Sequence, residues 1–93
     1  MKIRITKGFS NKLLNQVEFI AQDKPKAAKK FSEDILKQIE DLKKFPFKNR
    51  TSIYGEDSNI RDLIFKAFVI TYLVKENEGE IVVFALTKYE DKK

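Results

Sequence analysis

The sequence contains no cysteine and no histidine. The first absence removes disulfides, thiolate metal sites and a thiol nucleophile. The second removes the commonest general base and the commonest zinc ligand. Glycine (three residues) and proline (two) are scarce, so each is read as punctuation. No apolar run approaches the roughly 18–20 residues that span a bilayer. The opening residues, Met1 to Thr6, alternate in polarity and lack the apolar stretch of a signal peptide. A cytoplasmic protein with no membrane partner is expected.

What is present points to a small folded unit. The chain has 93 residues, 42% apolar and 12% aromatic, with eight phenylalanines. That length suits a single domain over residues 1–93, burying roughly 60–65% of its extended surface. The apolar content argues against disorder. Charge is unevenly spread. Residues 1–50 hold 13 Lys and Arg against 6 Asp and Glu, a balance of +7, and residues 51–93 hold 6 against 8, a balance of −2. A polyanionic or acidic partner would be steered to the first half. Lysine-rich helices with solvated outer faces account for the same numbers.

The hydrophobic period changes along the chain. Ile3 and Ile5 alternate with polar neighbours and predict a strand. Gly8 breaks that pattern and Ser10 is a candidate N-cap. Leu13, Val17 and Ile20 then recur at helical spacing, and Pro25 suits the first turn of a second helix. That helix carries Ala28, Phe31, Ile35, Ile39 and Leu42 on one stripe and stops at Phe45-Pro46. So short a connection predicts an antiparallel αα-hairpin. The segment Phe47 to Asn59 reads as a loop, ordered in part by Ile53 and Tyr54. Ile60–Phe65, Phe68–Lys75 and Glu80–Thr87 read as strands. The run Ile81 to Leu86 is apolar on both sides, as in a central strand covered on both faces or one whose outer face binds a partner. The order β-α-α-β-β-β gives an α+β fold, an antiparallel sheet with the helical hairpin packed on one face. Phe31, Phe45, Phe47, Phe65, Phe68 and Phe84 are assigned to the core.

Five stretches carry a resemblance: Lys24 to Ala28 between the helices, Leu42 to Pro46, Ile60-Arg61-Asp62-Leu63-Ile64-Phe65, Phe68 to Tyr72, and Glu80 to Leu86. In this order the chain resembles the RelE/ParE superfamily of toxins from bacterial type II toxin–antitoxin pairs, over nearly its whole length. The resemblance implies a growth-inhibiting toxin neutralised by a cognate antitoxin, with DNA gyrase (ParE-like) or the ribosome and its mRNA (RelE-like) as target. It implies no cofactor and no metal, and leaves a homodimer open.

The nuclease branch needs groups that activate the 2′-hydroxyl, stabilise the phosphorane and protonate the leaving oxygen. Its most recurrent arginine follows the aromatic that opens the third strand, where this chain has Val69. The cation expected beyond the last strand falls near Glu90 and Asp91. If the chain is a nuclease, Arg61, Lys66, Lys88 and Tyr89 are its candidate catalytic residues. The preferred reading of Arg61 is nonetheless structural or antitoxin-facing, pairing with Asp62's strand neighbours or with the acidic loop Glu56-Asp57. Arg50, Ser52 and Tyr54 form a cluster suited to loop packing or to binding. Glu33, Asp34, Glu40 and Asp41 lie among lysines at helical spacing, as solvated ion pairs do. The branch favoured is ParE-like. A non-toxic antitoxin-binding member is the remaining alternative.

Overall fold

The computed structural model describes residues 1–53 and 57–88. Along the chain come β1 (Lys2–Ile5), α1 (Lys7–Ala21), α2 (Pro25–Glu40), a 3-10 turn at Asp41–Lys43, β2 (Arg50–Thr51), β3 (Ile60–Phe65), β4 (Phe68–Lys75), a 3-10 turn at Glu76–Glu78, and β5 (Glu80–Lys88). This is the expected α+β order. Pro25 opens α2, where its missing N–H costs nothing. Ala28, Phe31, Ile35, Ile39 and Leu42 are buried, as their stripe requires.

The sheet departs from the expectation in two ways. Among the described residues it has five strands in the order β1-β5-β4-β3-β2, and it is mixed rather than wholly antiparallel. β1 pairs parallel to β5, Lys2 opposite Glu80 and Ile5 opposite Val83. Hairpins fix the directions of β3, β4 and β5, but no hairpin joins β1 to β5. Everything between them acts as one long crossover, which permits a parallel pair. The fifth strand, β2, lies in the stretch read as a loop. It is two residues long, Arg50 opposite Asp62 and Thr51 opposite Arg61, too short to show a period.

Helix α1 begins at Thr6, not at Ser10. Thr6 has extended backbone angles, and its hydroxyl accepts from the Phe9 N–H at 3.2 Å. Gly8 therefore sits inside the first turn, and Phe9, absent from the aromatic core set, is wholly buried. Thr6→Ala should cost about 1 kcal/mol in urea unfolding, and Ser10→Ala only a few tenths. Equal effects would contradict this helix start.

The core lies between the hairpin and one sheet face. Phe9, Phe31, Ile35, Ile39 and Leu42 pack with Leu63, Phe65, Phe68, Ile70, Tyr72, Val74, Ile81, Val83 and Leu86. Phe47 packs against this cluster from its edge. Two assigned phenylalanines do not join it. Phe45 follows the 3-10 turn and is 62% exposed, while Phe84 is exposed in a β-bulge. There Thr71 faces Ala85 and Tyr72 faces Val83, which leaves Phe84 without a partner on β4. The bulge shifts the alternation by one, so Val83 and Leu86 both reach the core, while Val82 is buried on the other face of this central strand. Ile53 is exposed and orders nothing, while Tyr54 lies outside the described residues.

Candidate functional site

Arg61 sits early in β3, opposite Tyr72 of β4. Its Nη1 donates to the carbonyls of Phe47 (3.1 Å) and Asn49 (2.9 Å), and its Nε to that of Ser58 (2.8 Å). The guanidinium lies 4.8 Å from the centre of the Phe47 ring. The described partners are backbone carbonyls, not the acidic loop. Tyr72 fastens the same connection. Its hydroxyl donates to the Pro46 carbonyl at 2.8 Å and accepts from Asn49 Nδ2 at 3.1 Å. The chain leaving α2 is thus pinned to the sheet at Pro46, Phe47 and Asn49, and β2 follows at once.

Burial raises the Tyr72 hydroxyl's pKa above its ordinary value, more than the Asn49 hydrogen bond and the Arg61 charge lower it; Asp62 adds to the rise. The fold therefore binds this proton more tightly than the unfolded chain does. That stability is complete below pH 10 and falls as pH climbs through the folded value. Tyr72→Phe should cost about 1–2 kcal/mol at neutral pH. It should also remove the alkaline loss, which urea titrations at pH 8 and pH 11 would detect.

On the opposite sheet face, Asp62 is buried and its Oδ1 accepts from the Thr71 hydroxyl at 2.9 Å. Its Oδ2 makes no hydrogen bond and lies 3.7 Å from Arg50 Nη2. Arg50 is half-exposed above it. Ser52 is buried, with its N–H bonded to the Ile60 carbonyl. Val69 is buried between Ile64 and Thr87 on that same face.

Of the four candidate catalytic residues, Lys66 and Lys88 share one end of the sheet. Lys66 occupies the β3–β4 turn with φ 54°, its ammonium 5.4 Å from the Phe65 ring. Lys88 pairs with Phe68. Arg61 belongs to the Tyr72 row, four residues along β4 from Phe68, about 13 Å away. Tyr89 lies outside the described residues, as do Glu56, Glu90 and Asp91. On α2, Asp34 pairs with Lys30 at 3.1 Å, and Glu40 pairs with Lys43 of the following turn at 2.7 Å, the ion pairs expected from their spacing.

The hairpin's outer side carries an apolar groove of about 290 Å³, lined by Ser10, Leu13, Leu14, Val17, Ser32 and Leu36. Leu14 is 55% exposed and Leu36 43%. Neither fell on a predicted stripe. The signal available was that Leu14 and Leu36 are leucines off the inward stripes of adjacent antiparallel helices. No helix among the described residues is long and apolar enough to cross a membrane.

A five-strand mixed sheet under a two-helix hairpin defines the fold, and comparison with known proteins places it. The family model described as the ParE toxin of the type II toxin–antitoxin system, parDE, matches residues 3–91. A solved structure titled "Chromosomal ParDE TA system from P. aeruginosa" superposes with a TM-score of 0.79 at 20% identity, over 97% of each chain. No curated protein sequence matches. The chain belongs to the ParE toxin family.

Proposed function

We propose that this chain inhibits growth by acting on a gyrase-type target rather than by cutting mRNA, and that an antitoxin silences it by covering the hairpin groove. The observation that carries the first part is the occupancy of Arg61. Its described donors go to three backbone carbonyls in the connection leaving α2. The sheet face that holds Val69 offers a buried valine where an RNase would need a phosphate-binding cation. Lys66 and Lys88 lie at the far end of the sheet, while the Arg61 guanidinium is turned to its carbonyls and away from any phosphate they would hold.

The antitoxin contact is supported by family membership and by the groove along Leu14 and Leu36. An amphipathic segment would bury there the leucine surface that the monomer leaves in water.

The test is to induce the chain alone and follow growth, plasmid supercoiling and the 5′ ends of abundant mRNAs over the first minutes. Arrest with altered supercoiling and intact mRNA is the expected result. Fresh ends at repeated positions within codons would overturn it in favour of an endonuclease. No arrest, with tight antitoxin binding, would leave a binding module.

A further inference from the structure

The turn between α1 and α2 carries an aromatic ring that the fold does not use. Beside it lies a shallow concavity of about 300 Å³ lined by Phe19, Ile20, Gln22, Asp23 and Lys24. Phe19 is 68% exposed, while Leu13, Val17 and Ile20 supply the inward contacts of α1. Solvating a phenyl ring is costly for a chain of this size.

The position of this ring can be read from the packing of α2. Phe31 packs edge-on against Phe68 at 5.4 Å and tilted against Phe65 at 5.9 Å, the two residues that flank the β3–β4 turn. Lys24 precedes Phe31 by seven residues, about 10 Å along a helix axis. The tip of the hairpin thus extends past the sheet end that bears Lys66 and Lys88. Lys24, Lys26, Lys66 and Lys88 have no carboxylate partner among the described residues, whereas Lys30 is held by Asp34. Asp23 is the one carboxylate in the concavity. At the other end of the sheet Asp57, Glu76 and Glu78 share one hollow with Lys75, and there Arg4 and Lys75 are held by Glu80 and Glu78. The exposed ring sits at the end where four lysines lack such a partner among the described residues.

An unburied aromatic among lysines that no described carboxylate pairs suits a ligand with alternating flat faces and phosphates. We infer that this end binds single-stranded nucleic acid, one base stacking on Phe19 while Lys24, Lys26, Lys66 and Lys88 hold neighbouring phosphates. Duplex fits less well, because its base faces are already stacked. Stacking tolerates any base, so binding is indifferent to sequence. Base faces and phosphates are common to DNA and RNA, so strands of both kinds should bind. This activity is separate from target poisoning and from antitoxin capture.

The experiment is fluorescence anisotropy of labelled dT20, rU20 and a 20-base-pair duplex with the purified full chain, from 50 to 200 mM salt. Both single strands should bind more tightly than the duplex, with a log–log salt slope of about −3 for four phosphate contacts. Phe19→Ala should weaken single-strand binding about 5- to 150-fold, and Phe19→Trp should restore it. The double variant Lys24→Glu/Lys66→Glu should flatten the salt slope by about 1 to 2. Lys2→Glu/Lys48→Glu changes net charge equally, away from the tip, and should leave the slope nearly unchanged. Circular dichroism checks that each variant keeps its fold. Absence of binding at 50 mM salt overturns the inference, as do equal affinity for duplex, indifference to Phe19→Ala, or equal effects of the two charge reversals. The last two outcomes would mark Phe19 as a protein contact and the binding as diffuse attraction.

Discussion

Replacing Arg61 by alanine is expected to lower the free energy of unfolding by about 2–4 kcal/mol and the melting temperature by about 10–25 °C. The guanidinium closes the connection between α2 and β3 with three charge-assisted hydrogen bonds, two of them part-buried, and it covers the Phe47 ring. Its removal leaves the carbonyls of Phe47 and Asn49 without that donor and frees the segment that Tyr72 also anchors. The Ser58 bond is solvent-exposed and contributes least. Arg61→Lys should recover little, because one ammonium cannot reach three carbonyls in the guanidinium's fork geometry. Urea unfolding followed by circular dichroism measures this directly. A catalytic arginine would behave in the opposite way, with stability untouched and activity gone. An unchanged unfolding midpoint would therefore return Arg61 to the list of reacting groups. A large shift would mean that loss of toxicity in this variant says nothing about chemistry.

The second large effect concerns the hairpin groove. Leu14→Glu combined with Leu36→Glu should weaken antitoxin binding by about 30- to 1,000-fold, the scale of losing central anchors from an interface. The fold itself should lose less than about 1 kcal/mol, because both side chains are already substantially in water. Isothermal titration of each variant with the cognate antitoxin reads the first quantity, and thermal melting reads the second. In cells the variant should keep its toxicity and escape rescue. Unaltered antitoxin affinity would move the docking surface elsewhere on the molecule. Loss of both affinity and melting temperature would make the leucines structural.

How much of this could be read from the chain alone depended on repetition. The helical stripe sets five apolar residues at four steps of three or four, and β3, β4 and β5 are rich in apolar and β-branched residues over six to nine positions, so their positions were legible almost to the residue. A two-residue strand repeats nothing, and β2 was hidden in a polar stretch for that reason. Phe9 lay between a strand pattern and a helix pattern and satisfied neither by itself. Only the Thr6 cap, a matter of one hydroxyl, assigns it to α1. The parallel direction of β1 was illegible because no turn connects it to its neighbour. At the candidate site, a structural Arg61 was the preferred reading, but its partners were not legible. Its acceptors are backbone carbonyls, which every residue possesses and no sequence motif announces.

The pairing of β1 with β5 also governs the order in which a newly made chain can fold. The strand that emerges first must wait for the strand made last, and α1 meets the sheet chiefly at β5. Until Ile81 and Val83 have been synthesised, Ile3 and Ile5 have no strand to pair with, although α1 can already pack on α2. Pairings this distant in sequence are slow to close. A ribosome-bound chain that stops short of β5 therefore lacks its finished sheet, and any activity that needs that sheet begins only after translation has passed residue 83. A cell making this protein accordingly has the time spent on the final strand, plus the closure itself, in which a partner already at hand can meet it first.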